Sequence, residues 1–127
     1  MKTAIINGRI ITPHRILDQA SLVMEDGVIE GIVKGRKPEA DCYIDAQGSY
    51  VSPGFIDIHT HGGGGHDFTE ATEEAFRMAT TAHLKHGATS MFPTLSSTSF
   101  EKLYQAVDVC EGLMQEPDSP ILGLHIE

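Results

Sequence analysis

The sequence predicts an α/β fold in two parts: a small sheet portion over residues 1–52 and a βαβαβ unit over residues 53–127. Three observations predict it. The first fifty or so residues carry short apolar runs broken by Asn-Gly, Asp-Gly and Gln-Gly pairs, the turn chemistry that joins neighbouring strands. From Pro53-Gly54 onward, extended apolar runs alternate with segments of helical period. Strands separated by helical crossovers run parallel, which leads either to an open doubly wound sheet or to a closed eight-stranded barrel.

The elements follow in order. Thr3–Ile6 and Arg9–Thr12 flank Asn7-Gly8, and Ser21–Met24 and Val28–Val33 flank Asp26-Gly27. Both pairs are hairpin signals. Cys42–Asp45 is a further strand, closed by Gln47-Gly48. The expectation is a small antiparallel sheet that buries little area by itself. In the second part Phe55–His61 is the first strand. Thr72 caps a helix that runs to His86, with Glu73 and Glu74 at the positive end of its dipole. Ala75, Phe76, Ala79, Ala82 and His83 form its apolar face, and Gly87 ends it. Ala88–Pro93 is the second strand. Thr98-Ser99-Phe100-Glu101 reads as a capping box, followed by an apolar stripe of Phe100, Leu103, Tyr104, Val107, Cys110 and Met114. Ile121–Glu127 is the third strand.

Composition narrows the function classes. The chain has 127 residues, 40% hydrophobic and 21% charged, as ordinary soluble domains do. Eighteen acidic residues against nine basic ones give a net charge of -9. That balance argues against nucleic acid or an anionic membrane as partner. No apolar run approaches the roughly 18 residues of a membrane span, and no secretory pattern opens the chain. The expected compartment is a reducing cytoplasm, with Cys42 and Cys110 as small buried residues.

The chemistry concentrates in PGFIDIHTHGGGGHDF, residues 53–68. On a strand, Phe55, Asp57, His59 and His61 share one face, and Ile56, Ile58 and Thr60 share the other, apolar enough to pack on helices. Two residues span roughly 6.6 Å along a strand. Two imidazoles so placed can tilt onto one ion at about 2.0–2.1 Å. The C-terminal end of a parallel strand is also where active sites of α/β folds lie. On the third strand Gly123, His125 and Glu127 share a face, and Glu127 would complete a mixed nitrogen and oxygen site. His125, one step deeper, reads as a neighbour of the site rather than a ligand. Asp57 reads as a support for a histidine or for the backbone.

Blander readings stand beside these. A His-x-His pair arises by chance, four glycines suit a surface loop as well as close approach to a ligand, and a lone Glu is usually solvated. His66 and Asp67 either reach the site or cap the next segment. His83 and His86 read as structural and His14 as surface. Thr94–Thr98 brings hydroxyls near the same rim, some of them accounted for by capping. The glycine run lacks the Lys and Ser/Thr of a phosphate loop.

The small sheet running into SPGFIDIHTHGGGGHDF resembles the amidohydrolase superfamily, and HGATSMFPT and ILGLHIE are similar to segments of the N-acetylglucosamine-6-phosphate deacetylases. The resemblance implies the N-terminal part of a (β/α)8 TIM barrel, about three strands, preceded by part of a small β-sandwich. It implies a divalent metal ion, zinc or iron, with His59 and His61 matching first-strand ligands and Glu127 a third-strand carboxylate ligand. It implies hydrolysis of the N-acetyl group of N-acetylglucosamine 6-phosphate, a small-molecule amino sugar phosphate, to glucosamine 6-phosphate and acetate. A homodimer is implied for the full-length protein. The family's general acid/base aspartate is expected beyond residue 127, so the chain reads as an N-terminal fragment that is inactive alone. Two alternatives stay open. One is another amidohydrolase, dihydroorotase-like or a deaminase. The other is a non-catalytic module that binds metal or sugar or assembles with a second chain.

Overall fold

The structure is a computed structural model and describes residues 1–127. The chain divides into two compact units, Met1–Pro53 and Gly54–Glu127.

The first unit is one five-stranded sheet built from β1 (Lys2–Ile11), β2 (Ile16–Glu25), β3 (Val28–Lys34), β4 (Cys42–Asp45) and β5 (Tyr50–Val51). Its order is β3-β2-β1-β4, with β5 also on β1. The β2–β3 hairpin turns at Asp26-Gly27, whose φ values of 48° and 83° are those a tight two-residue turn demands. Two features differ from the sequence reading. The sheet is mixed, because β4 and β5 pair with β1 in parallel. And Asn7-Gly8 makes no hairpin: β1 runs straight through it as a bulge, with Asn7 at φ 57° and register shifts against β2 on both sides of Gly8. Tertiary neighbours decide this. Asn7 donates from Nδ2 to Asp45 Oδ1 at 3.0 Å, and its carbonyl accepts the Gly48 N–H at 2.8 Å. A Cβ on Gly8 would lie 2.7 Å from Val51 Cγ2, so the strand can pass β5 only where no side chain exists. Ala4, Ile10, Ala20 and Val23 form the buried apolar set. Cys42 is exposed, contrary to expectation, because all four residues of β4 are exposed.

The second unit begins with β6 (Phe55–Thr60). A glycine hairpin, β7 (Gly62–Gly63) and β8 (His66–Asp67), leads into a 3-10 turn at Phe68–Glu70. Then come α1 (Glu73–Leu84), β9 (Ala88–Leu95), α2 (Phe100–Met114) and β10 (His125–Ile126). The sheet order is β10-β9-β6, all parallel, so the βαβαβ pattern is realised. β9 continues past Pro93, where its register against β6 shifts between Asp57 and Thr60. Proline cannot donate to a ladder. The Thr60 N–H donates to Thr94 Oγ1 at 3.2 Å, next to the break in the ladder. The third strand is shorter than its sequence suggests: only His125–Ile126 is paired, with a separate bridge from Ile121 to Met91.

Thr72 caps α1 by accepting the Ala75 N–H at 3.2 Å. The buried face carries Ala75, Phe76, Ala79 and Thr80. α2 is capped by Ser99, not Thr98, its hydroxyl accepting the Lys102 N–H at 3.3 Å. Its buried face is Ala106, Cys110 and Leu113, flanked by Leu103 and Val109. The apolar stripe is thus rotated from the predicted one, and Phe100 and Tyr104 are 78% and 70% exposed. Phe68 and Phe76 already fill the layer beneath, edge to face with centroids 4.9 Å apart, so α2 turns Ala106, Cys110 and Leu113 inward and leaves its aromatic residues outside. Burial among these side chains pushes the Cys110 thiol up to about 11. Ile56 and Ile58 are 64% and 69% exposed rather than packed on helices. β6 is an edge strand, and α1 meets it at the Thr60 end through His83. No helix is long and apolar enough to cross a membrane.

Candidate metal centre

β9 lies between β6 and β10, parallel to both, with Thr60 opposite Pro93 and His125 opposite Thr94. This register brings the C-terminal ends of β6 and β10 to one level. His59 and His61 stand at the first end and Glu127 at the second. His59 Nε2 and His61 Nε2 are 3.3 Å apart, and His61 Nε2 lies 3.3 Å from Glu127 Oε2. One ligand atom from each of the three falls within 4.8 Å of the others.

These distances fit a shared cation. Two nitrogens about 2.0–2.1 Å from one ion at a tetrahedral angle stand about 3.3–3.4 Å apart. Two imidazole lone pairs facing at that distance repel unless a proton or a cation lies between them. Two imidazoles with a carboxylate form a donor set that suits first-row divalent metals.

The surrounding side chains have separate tasks. Asp57 Oδ1 accepts the His59 backbone N–H at 3.1 Å, fixing the strand where the first histidine leaves it. Ser96 Oγ meets His61 Nδ1 at 3.0 Å. Thr94, fully buried, accepts from Thr60 N–H and meets His125 Nδ1 at 3.2 Å, so one hydroxyl ties three strands together. The His125 ring lies 4.9 Å from that of His59, edge to face, outside the converging group.

His66 and Asp67 serve the local backbone. Asp67 Oδ1 accepts the Thr69 N–H, and Glu70 Oε1 accepts the Asp67 N–H at 2.8 Å, a complete capping box on the 3-10 turn. The Asp67 N–H, with His66 beside it, holds the Glu70 carboxyl below its ordinary value. His83 Nε2 sits 2.9 Å from the Gly62 carbonyl oxygen and 3.0 Å from Thr60 Oγ1, bracing the hairpin on α1. His14 and His86 are exposed. The glycines answer to packing: a Cβ on Gly62 would lie 2.1 Å from the His66 carbonyl oxygen. The specific role of Ser96 escaped the sequence reading, which treated residues 94–98 as a hydroxyl-rich stretch partly spent on capping. Alternation puts Ser96, one step past β9, on the side of Phe92 and Thr94, but only the register of β9 against β6 brings it to His61.

The sequence model of the amidohydrolase family matches residues 50–127. The chain belongs to the amidohydrolase family. Members of this family use divalent metal ions. The chain is 32% identical over 129 residues to N-acetylglucosamine-6-phosphate deacetylase of Haemophilus influenzae, covering 100% of this chain and 34% of that protein. It is 30% identical to N-acetylgalactosamine-6-phosphate deacetylase of a Shewanella strain, covering 94% of this chain and 31% of the relative. Among solved structures, N-acetylglucosamine-6-phosphate deacetylase from Pasteurella multocida superposes with a TM-score of 0.90 at 30% identity, over 99% of this chain and 34% of that one. The chain therefore spans about a third of the length of these relatives.

Proposed function

We propose that this chain forms the first part of a metal-dependent deacetylase that hydrolyses the N-acetyl group of N-acetylglucosamine 6-phosphate. The observation that carries the proposal is the convergence of His59 Nε2, His61 Nε2 and Glu127 at a single rim. In this reading those three residues hold a divalent ion, zinc or iron. Such an ion polarises an amide carbonyl and brings a bound water's pKa toward neutrality. The two imidazoles contribute neutral donors and Glu127 one negative charge, leaving a net positive centre. Asp57 and Ser96 hold the histidines in place while Gly62–Gly65 turns the chain away from the rim. Water adds across the amide C–N bond, releasing acetate and the free amine of glucosamine 6-phosphate. The general acid/base that moves the proton to this amine belongs to a later part of the polypeptide, as an aspartate.

The three parallel strands are read as the opening of a (β/α)8 barrel and the first unit as part of a β-sandwich. An apolar cavity of about 220 Å³ on its sheet, lined by Ile10, Ile11, Leu22, Ile29, Ile32 and Val51 among others, supports a second layer there. The complete protein is read as a cytoplasmic homodimer that binds a small sugar phosphate and neither nucleic acid nor membrane. The Shewanella relative favours a second reading, the galacto epimer as substrate. The test is deacetylation of both sugar phosphates by the complete polypeptide with and without a chelator. Metal-dependent release of acetate from N-acetylglucosamine 6-phosphate supports the first reading. Equal rates in chelator refute the metal role, and turnover of the galacto epimer alone transfers the assignment to the second.

A further inference from the structure

We propose that Ser96 is a positioning residue that selects which nitrogen of His61 faces the cation; this rests on the metal reading above. Ser96 follows β9 directly and is half-buried. Its hydroxyl is not spent on capping α2, a task Ser99 performs. Its one side-chain hydrogen bond is to His61 Nδ1, at 3.0 Å. The other ring nitrogen, Nε2, is the one that meets both His59 and Glu127.

The chemistry follows from the two nitrogens of one ring. A neutral imidazole carries a single proton, and the nitrogen used as a metal ligand must be the bare one. With the Nε2 lone pair given to a cation, the proton sits on Nδ1. That N–H then donates to Ser96 Oγ, whose own hydrogen turns to solvent. A carboxylate or carbonyl is the commoner partner at this position. A hydroxyl differs in one respect, because it can also donate. Before an ion enters, His61 can carry its proton on Nε2 toward Glu127 while Ser96 donates to Nδ1. The serine thus satisfies the ring in both states and keeps it from rotating between them. Thr94 makes a similar contact with His125, which is not among the three converging residues, from a fully buried position that also anchors the Thr60 backbone, so its removal would disturb the sheet.

The experiment uses the complete polypeptide and zinc as probe. Zinc affinity is measured by chelator competition for the parent, His61→Ala, Ser96→Ala, Ser96→Cys and Ser96→Thr. Solvent exchange of the His61 Nδ1 proton is followed by NMR in the zinc-loaded forms. Ser96→Ala and the nearly isosteric, poorly accepting Ser96→Cys are expected to weaken zinc binding by about 10–100-fold and to speed exchange of that proton. Ser96→Thr, which keeps the oxygen, should restore both, and thermal unfolding of the metal-free forms should be unchanged. Parental affinity together with slow exchange in both Ser96→Ala and Ser96→Cys overturns the inference. Retention of zinc by His61→Ala overturns the metal reading itself, a separate result.

Discussion

Seven histidines occur in this chain, and their partners rather than their spacing divide their work. His59 and His61 turn Nε2 atoms toward each other, His83 and His66 brace the hairpin and its cap, and His125 leans on Thr94. Replacing His59 by Ala or Glu127 by Gln should each lower zinc affinity of the complete polypeptide by more than about 100-fold, since a lost ligand exceeds the loss of a supporting hydrogen bond. Chelator competition reads this directly. The glycine run supplies a second prediction. Gly62→Ala would drive a Cβ into the His66 carbonyl and should cost about 1–3 kcal/mol of stability. Gly65→Ala meets nothing within 4 Å and bears only its positive φ of 88°, so it should cost about 1 kcal/mol. Urea unfolding of the two variants separates a packing role from simple loop freedom. At this scale period two made the ligand pair legible, whereas the Ser96 contact depended on where the neighbouring strand ends.

Among the elements, α2 shows how much a helix owes to its neighbours. Its helical period was legible, but two apolar faces compete on it and Phe68 and Phe76 select the one without aromatic residues. Its cap moved by one residue for a similar reason: Thr98 and Ser99 are both competent, and only Ser99 reaches the Lys102 N–H. Ser99→Ala should therefore cost about 1 kcal/mol in urea unfolding, while Thr98→Ala changes little. α1 is tied to the end of α2 by Arg77, which donates from Nε to Glu73 at 2.7 Å and from both terminal nitrogens to Glu116, one of them at 3.0 Å. Arg77 holds the Glu116 carboxyl below its ordinary value. A depressed carboxylate stabilises the fold above the normal glutamate range of about 4.3 and loses that contribution as pH falls through its folded value. The stability gap between parent and Arg77→Ala should thus be constant near neutrality and close under acid. Exposure of the pair makes the gap small and sensitive to salt.

For the molecule as a whole, the second unit leaves Ile56, Ile58, Phe100 and Tyr104 largely in water, and its sheet has open edges at β6 and β10. Unpaired parallel edges with apolar flanks promote association. The 127-residue chain by itself should bind a hydrophobic dye and sediment above monomer mass at micromolar concentration; a monomeric, dye-free chain would contradict the exposure described. The complete polypeptide should bind no dye and sediment as a discrete dimer, since the barrel reading covers these edges. Local chemistry in the sequence determined the alternation of strands and helices after Pro53, the Thr72 cap, the Asp26-Gly27 hairpin and the common face of His59 and His61, because each depends on backbone geometry over a few residues. Only the tertiary structure decided the parallel pairing of β4 and β5, the bulge at Asn7, the face of α2 that is buried, and the contact of Ser96 with His61. Those outcomes depend on which distant segments share space, and no local period encodes that.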